Sequence, residues 1–149
     1  MFVIKTAEEF VAAINTERNT VQVFVKLLEK EEDALIHGRI DELDKLASDK
    51  VRLAEKLECL VKQRIQYLSF LGFSLDKAGM QLWLSRQADD ELQTIWDELV
   101  QLASVAQQIN QTNGKIISAQ LQHSQRAYMA LQGAAGNINL YGPKGQAFI

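Results

Sequence analysis

"LDKLASDKVRLAEKLECLVKQRIQYLSFL", residues 43–71, decides the fold. Its apolar residues return at alternating intervals of four and three: Leu43, Leu46, Leu53, Leu57, Leu60, Tyr67 and Leu71, with Lys50 and Arg64 filling the two gaps in the series. A 3.5-residue period puts all of them on one stripe of an α-helix, the pattern of a helix that packs lengthwise against others. Between residues 39 and 71 the other positions carry charges of both signs, as a solvated outer face does. Lys50 and Arg64 interrupt the seam, and each sets register at a cost in stability.

Helical periodicity extends in both directions. Upstream, Val11, Ile14, Val21, Val25, Leu28 and Leu35 share one stripe. Thr6 followed by Glu9 reads as a capping box that satisfies orphan N–H groups at the helix start. "HGR" at 37–39 closes this helix, with Gly38 suited to the left-handed position just past the end. Downstream, Gly72 ends the heptad helix, and "FSLDKAGMQLWLSRQ" (73–87) allows a short helix capped by Ser74, with Gly79 as its weak spot. A third long helix starts near Asp89 and Asp90, acids favoured at a helix N-terminus. It continues through Leu92, Ile95, Leu99, Leu102, Ala106, Ile109, Asn113 and Ile116, then slips by one to Ile117, Leu121, Ser124, Tyr128 and Leu131.

No alternating strand pattern competes. The predicted fold is all-α: an elongated antiparallel bundle or coiled coil of three long helices plus a short one. Residues 1–132 form the helical domain and 133–149 a flexible C-terminal tail. Four of the eight glycines and the only proline, Pro143, lie in those last 17 residues. The tail nevertheless carries Leu140, Tyr141, Phe148 and Ile149, which fits a tethered recognition peptide better than a merely solubilising end. At ~1.5 Å per residue the first two helices would run roughly 50 Å and the third roughly 65 Å. The far end of the third helix is therefore expected to lack cover, and to fold back, self-associate or bind a partner.

Composition narrows the functional classes. At 149 residues the chain is one domain by length. A net charge of −3 offers no basic face for nucleic acid. No apolar run approaches the ~18–20 residues of a membrane span. The acidic, amphipathic N-terminus does not read as a secretory signal. The lone Cys59 forms no disulfide or metal site within the chain and is compatible with a reducing cytosol. His37 and His123 stand on different helices, and Ala34 and Gln120 occupy the positions where a bundle di-iron site needs glutamates. No phosphate-cradling loop or metalloprotease motif is present. His123 with Arg126 and Ala127 faintly resembles a histidine phosphotransfer helix, although lysine and glycine are usual there. The acid run Glu29, Glu31, Glu32 and Asp33 reads as a solvated face, and Trp83 and Trp96 as core anchors. No enzyme, metal or cofactor is expected.

Surface chemistry changes along the third long helix. From Leu99 to Ile149 there is no Asp or Glu, and the only charges are Lys115, Arg126 and Lys144. Amides such as Gln107, Gln108, Asn110, Gln111, Gln120, Gln122 and Gln125 take their place. Charge depletion is a mark of interface cores, so this region reads as an interaction surface. Within it, Asn113 and Gly114 sit mid-helix, where glycine costs ~1 kcal/mol relative to alanine. Two uses fit them: register and close approach inside the bundle, or the same close approach made to a partner helix.

Taken in order, "LASDKVRLAEKLECLVKQR" (46–64), Trp96, "INQTNGKIISAQL" (109–121) and "LYGPKGQ" (140–146) resemble the FlgN family of flagellar type III export chaperones. The similarity runs through most of the chain, and its specific parts are the Asn-x-x-Asn-Gly and Tyr-Gly-x-x-Gly-Gln boxes. The resemblance implies a cytoplasmic binding protein for the hook–filament junction proteins FlgK and FlgL. It would cover their C-terminal amphipathic helices before export, without catalysis or cofactor. By position in the family's binding region, client contact falls to Ile109, Asn113, Gly114, Ile117, Leu121, Tyr128 and Leu131. Tyr141 corresponds to the docking residue for the export gate, FlhA. The alternative is a self-assembling structural coiled-coil bundle, with the third long helix covered by another copy.

Overall fold

The computed structural model describes residues 3–138, with side chains to residue 134, and these form four helices and no strand. They are α1 (Ala7–Ile36), α2 (Ile40–Phe70), α3 (Lys77–Gln87) and α4 (Asp90–Ile138). The chain divides into two compact units, Met1–Asn113 and Gly114–Ile149. α4 begins in the first and ends in the second.

The sequence writes the helix ends. Thr6 caps α1 by accepting from Glu9 N at 3.1 Å. Glu9 reaches back in turn, its Oε2 accepting from Lys5 N at 2.9 Å, one residue earlier than the standard capping box. α1 ends with Gly38 at φ +67°: its N–H reaches Leu35 O at 3.4 Å and Arg39 N–H reaches Ala34 O at 2.9 Å. α2 ends the same way at Gly72, φ +82°, with Gly72 N–H on Ser69 O and Phe73 N–H on Leu68 O. Both are Schellman motifs, which reverse the chain in a few residues.

Two ion pairs fix the register of α1 on α2. Arg64 holds Glu17 through two bonds of 3.1 Å, and Lys50 Nζ reaches Glu31 Oε1 at 3.1 Å. The partners run in opposite directions along the chain, so α1 and α2 are antiparallel. Arg18 with Glu98 at 3.0 Å and Asn113 with Glu31 at 2.8 Å set α4 parallel to α1. The first unit is therefore an up-down-up bundle.

Its apolar interior comes in two clusters. At one end Phe10, Ile14, Tyr67, Leu68, Leu92 and Leu99 meet Met80, Trp83 and Leu84 of α3, which seals that end. Phe10 stacks edge-on against Trp83 and tilted against Tyr67, each with ring centroids 4.6 Å apart. Such pairs add ~0.5–1.5 kcal/mol each beyond their burial. Further along, Val21, Val25, Leu28 and Ala106 pack with Phe24, Leu57, Leu102, Val105 and Ile109.

Three expectations need correction. α3 is capped by Asp76, not Ser74. Asp76 Oδ1 accepts from Gly79 N at 3.0 Å, while Ser74 Oγ donates to the same oxygen at 2.8 Å and orients it. These bonds, the one from Gly79 N first, hold the Asp76 carboxyl below its ordinary pKa. Gly79 is not a weak spot: a Cβ there would lie 1.7 Å from the Ser74 carbonyl oxygen, so the loop folds back only over glycine. The acid run is not wholly solvated, because Glu31 is buried and paired.

Candidate partner-docking surface

Asp89 starts α4 by accepting from Glu91 N at 3.1 Å and Leu92 N at 3.2 Å. From there the seam expected from the sequence faces the bundle. Leu92, Leu99 and Ala106 are buried, and Ile95, Leu102 and Ile109 are half-buried. Ile109 packs against the second apolar cluster. Asn113 is only 1% exposed, and its Nδ2 donates to Leu28 O at 3.0 Å and to Glu31 Oε1 at 2.8 Å. Of the two uses the sequence left open for Asn113, the structure displays the register one.

The polar side chains of the seam sort into two layers. Arg64, bonded to Glu17, also lies with its guanidinium carbon 5.0 Å from the centre of the Trp96 ring. Glu31, Lys50 and Asn113 form the second layer. Sequence reasoning found Lys50 and Arg64 but missed Glu17 and Glu31 as their partners. The signal was available: each pair lies two heptads apart on its own helix, and antiparallel helices bring equal spacings together.

In the second unit the remaining predicted residues present an open face. Gly114 is helical, and a Cβ added to it would meet nothing within 4 Å. Ile117, Leu121, Tyr128 and Leu131 are 47%, 57%, 55% and 51% exposed, and Met129 is exposed beside them. Spacings of four, seven and three align the first four on one stripe of the helix. The Tyr128 hydroxyl accepts from Gln132 Nε2 at 3.0 Å, so even this polar tip is held by a neutral amide. Large side chains half in water on a stretch of helix without acids constitute an apolar surface rather than the scattered exposure normal to any protein. The structure thus separates the predicted residues: Ile109 and Asn113 turn into the first unit, and the other four side chains turn outward. α4 continues to Ile138, through Gly133 and Gly136, past the expected start of the tail. Tyr141 lies outside the described residues.

Among the described residues, no group of three or more His, Cys, Asp or Glu side chains is placed to hold a metal ion. No described helix is long and apolar enough to cross a membrane. His37 caps its own helix through Asp33 O at 2.9 Å, and His123 stands exposed.

The sequence pattern of the FlgN protein family matches residues 1–147. The chain belongs to the FlgN family. A crystal structure from Pseudomonas aeruginosa, described as that of a flagella synthesis protein FlgN, superimposes with a TM-score of 0.69 at 28% sequence identity. The match covers 76% of this chain and 90% of that one. No curated protein matches. The overall fold is therefore what this FlgN chain shares with its structural neighbour.

Proposed function

We propose that this FlgN-family protein is a cytoplasmic export chaperone for the flagellar junction proteins FlgK and FlgL. It binds their C-terminal helical segments, keeps them from assembling prematurely, and delivers them to the export gate through FlhA. The observation that carries this reading is the acid-free, half-exposed stripe of Ile117, Leu121, Tyr128 and Leu131. An amphipathic helix covers such a stripe through its own apolar positions three and four residues apart. Gly114 leaves room beside the stripe for close backbone approach. Ile109 and Asn113 contribute by anchoring α4 where the surface begins. Residues 1–132 serve as the chaperone domain and 133–149 as a recognition tail, with Tyr141 as the anchor at the gate. A short peptide with one aromatic anchor binds weakly, because it must be ordered at each encounter. Weak docking suits a carrier that hands over its cargo. Binding is the whole activity, with no catalysis, cofactor or nucleic acid.

The test is calorimetric titration with C-terminal peptides of FlgK and FlgL, beside an Ile117→Asp, Leu121→Asp variant. Saturable binding is expected for the parent and lost in the variant, with helicity retained. Tyr141→Ala should leave peptide binding intact and weaken capture by FlhA. A folded monomer that binds neither peptide sinks the client assignment. A peptide-indifferent, concentration-dependent oligomer would favour the self-assembling bundle instead.

A further inference from the structure

The two polar layers of the first unit are not equivalent. In the Glu17–Arg64 layer the carboxylate and guanidinium meet through two parallel bonds, and the apolar clusters flank the layer on both sides. In the Glu31–Lys50–Asn113 layer, Asn113 uses both amide hydrogens on Leu28 O and Glu31 Oε1. Its Oδ1 is buried and receives no hydrogen bond from any protein group. This second layer is also the last that α4 makes in the first unit, which ends at Asn113. Water satisfies an unpaired buried carbonyl and a partly desolvated carboxylate as soon as it reaches them, whereas it penalises an exposed apolar layer. Separation of α4 from α1 is therefore easiest here.

A difference in cover sharpens the contrast. Leu92 and Leu99 are buried in the cluster that includes Trp83 and Phe10, with α3 closing the end. Toward Asn113, α4 offers mainly the small Ala106 and the half-buried Leu102, Val105 and Ile109. Local openings start where buried apolar contacts are few and polar groups can be rehydrated.

We propose that the Glu31–Lys50–Asn113 layer is a release joint. Residues 102–113 of α4 detach from α1 and open their helical hydrogen bonds as one local unit, while residues 92–99 stay packed. The opening uncovers Val25 and Leu28 of α1 without disturbing the aromatic end of the bundle. This inference concerns the first unit and stands whether or not the outer stripe binds FlgK or FlgL.

Hydrogen exchange followed by mass spectrometry on the full-length protein tests it. Amides of residues 102–113 should exchange through an opening at least about tenfold more populated than that of residues 92–99, since local openings span the range up to global unfolding. An all-apolar layer, Glu31→Leu with Lys50→Leu and Asn113→Leu, should slow residues 102–113 to the rate of 92–99. Replacing the other layer, Glu17→Leu with Arg64→Met, should leave the contrast between the two stretches in place. One common exchange rate for both stretches in the parent protein overturns the proposal. So does an all-apolar layer that folds yet keeps the contrast. Should that triple variant fail to fold, the parent comparison and Asn113→Leu alone still decide, the latter being required to narrow the contrast.

Discussion

Arg64→Met is the substitution whose cost the structure fixes best. The guanidinium makes two bonds of 3.1 Å to Glu17 and lies 5.0 Å from the Trp96 ring centre. The side chains of Arg64 and Glu17 retain 16% and 4% exposure, so the carboxylate depends on this partner. Methionine keeps most of the stem volume but leaves a buried, uncompensated carboxylate. Breaking a buried pair on one side costs ~3–5 kcal/mol. Loss of the cation–π contact adds roughly 0.5–1 kcal/mol at a partly exposed site. Against a whole stability of about 5–15 kcal/mol this is a large fraction, visible in a urea titration followed by circular dichroism at 222 nm. The double variant Glu17→Leu, Arg64→Met removes both charges together and should regain most of the loss, because an apolar layer replaces an ion pair at little net cost. If Arg64→Met alone costs under ~1 kcal/mol, the pair behaves as an exposed surface bridge and the register argument fails.

Gly38→Ala should cost about 1–2 kcal/mol, since φ is +67° and no neighbour within 4 Å adds a clash, so the penalty is backbone strain alone. Gly114→Ala should have the opposite sign, gaining about 1 kcal/mol of helix stability because its Cβ enters open space; a loss of helicity by circular dichroism would refute this. Gly79→Ala drives a Cβ to 1.7 Å from Ser74 O, so the α2–α3 loop should be displaced, read as faster exchange of the amide at position 79. Asp76 has a depressed folded-state pKa, so its contribution is present above the ordinary carboxylate range and lost as pH falls through the depressed value. Asp76→Asn should abolish that acid-side loosening of α3, monitored by amide exchange across residues 76–80.

Much of the fold was legible because helices write themselves in period and punctuation. The α2 seam from Leu43 to Tyr67 reappears as its half-buried and buried positions, and Gly38 and Gly72 stand at left-handed turns as their context required. What the sequence concealed depended on partners distant in the chain. Glu31 sits in a run of acids that looks solvated, yet the heptad phase from Phe10 through Ile14, Glu17, Val21, Phe24 and Leu28 carries straight to it. A stripe drawn from Val11 and through Val25 rather than Phe24 hid both this phase and the burial of Phe10. Ser74 and Asp76 are equally good capping residues by type. The choice falls to Asp76 because the Ser74 carbonyl lies against Gly79, a contact that no local rule predicts. Of the proposed docking residues, the charge-poor stripe was visible from composition, and the α4 seam already carried Ile109 and Asn113, but whether that seam met the bundle or a partner at Asn113 was not. Placing them requires knowing that α4 stays in register with α1 up to Asn113.

The polar seam also explains how a bundle with so regular a repeat avoids alternative registers. Sliding α2 along α1 by one heptad keeps most leucines of the seam opposite apolar positions, so hydrophobic burial alone discriminates weakly. The same slide moves Lys50 and Arg64 away from Glu31 and Glu17, leaving four charges facing apolar neighbours, and moving a charge from water without a partner costs several kcal/mol. Only a slide of two heptads would bring one pair back into register, and it would strand the other pair. Asn113 extends the constraint to α4, because Leu28 O and Glu31 Oε1 can both be reached from a single position. The two layers therefore do what the leucines cannot, and they fix the register of the three long helices within the first unit.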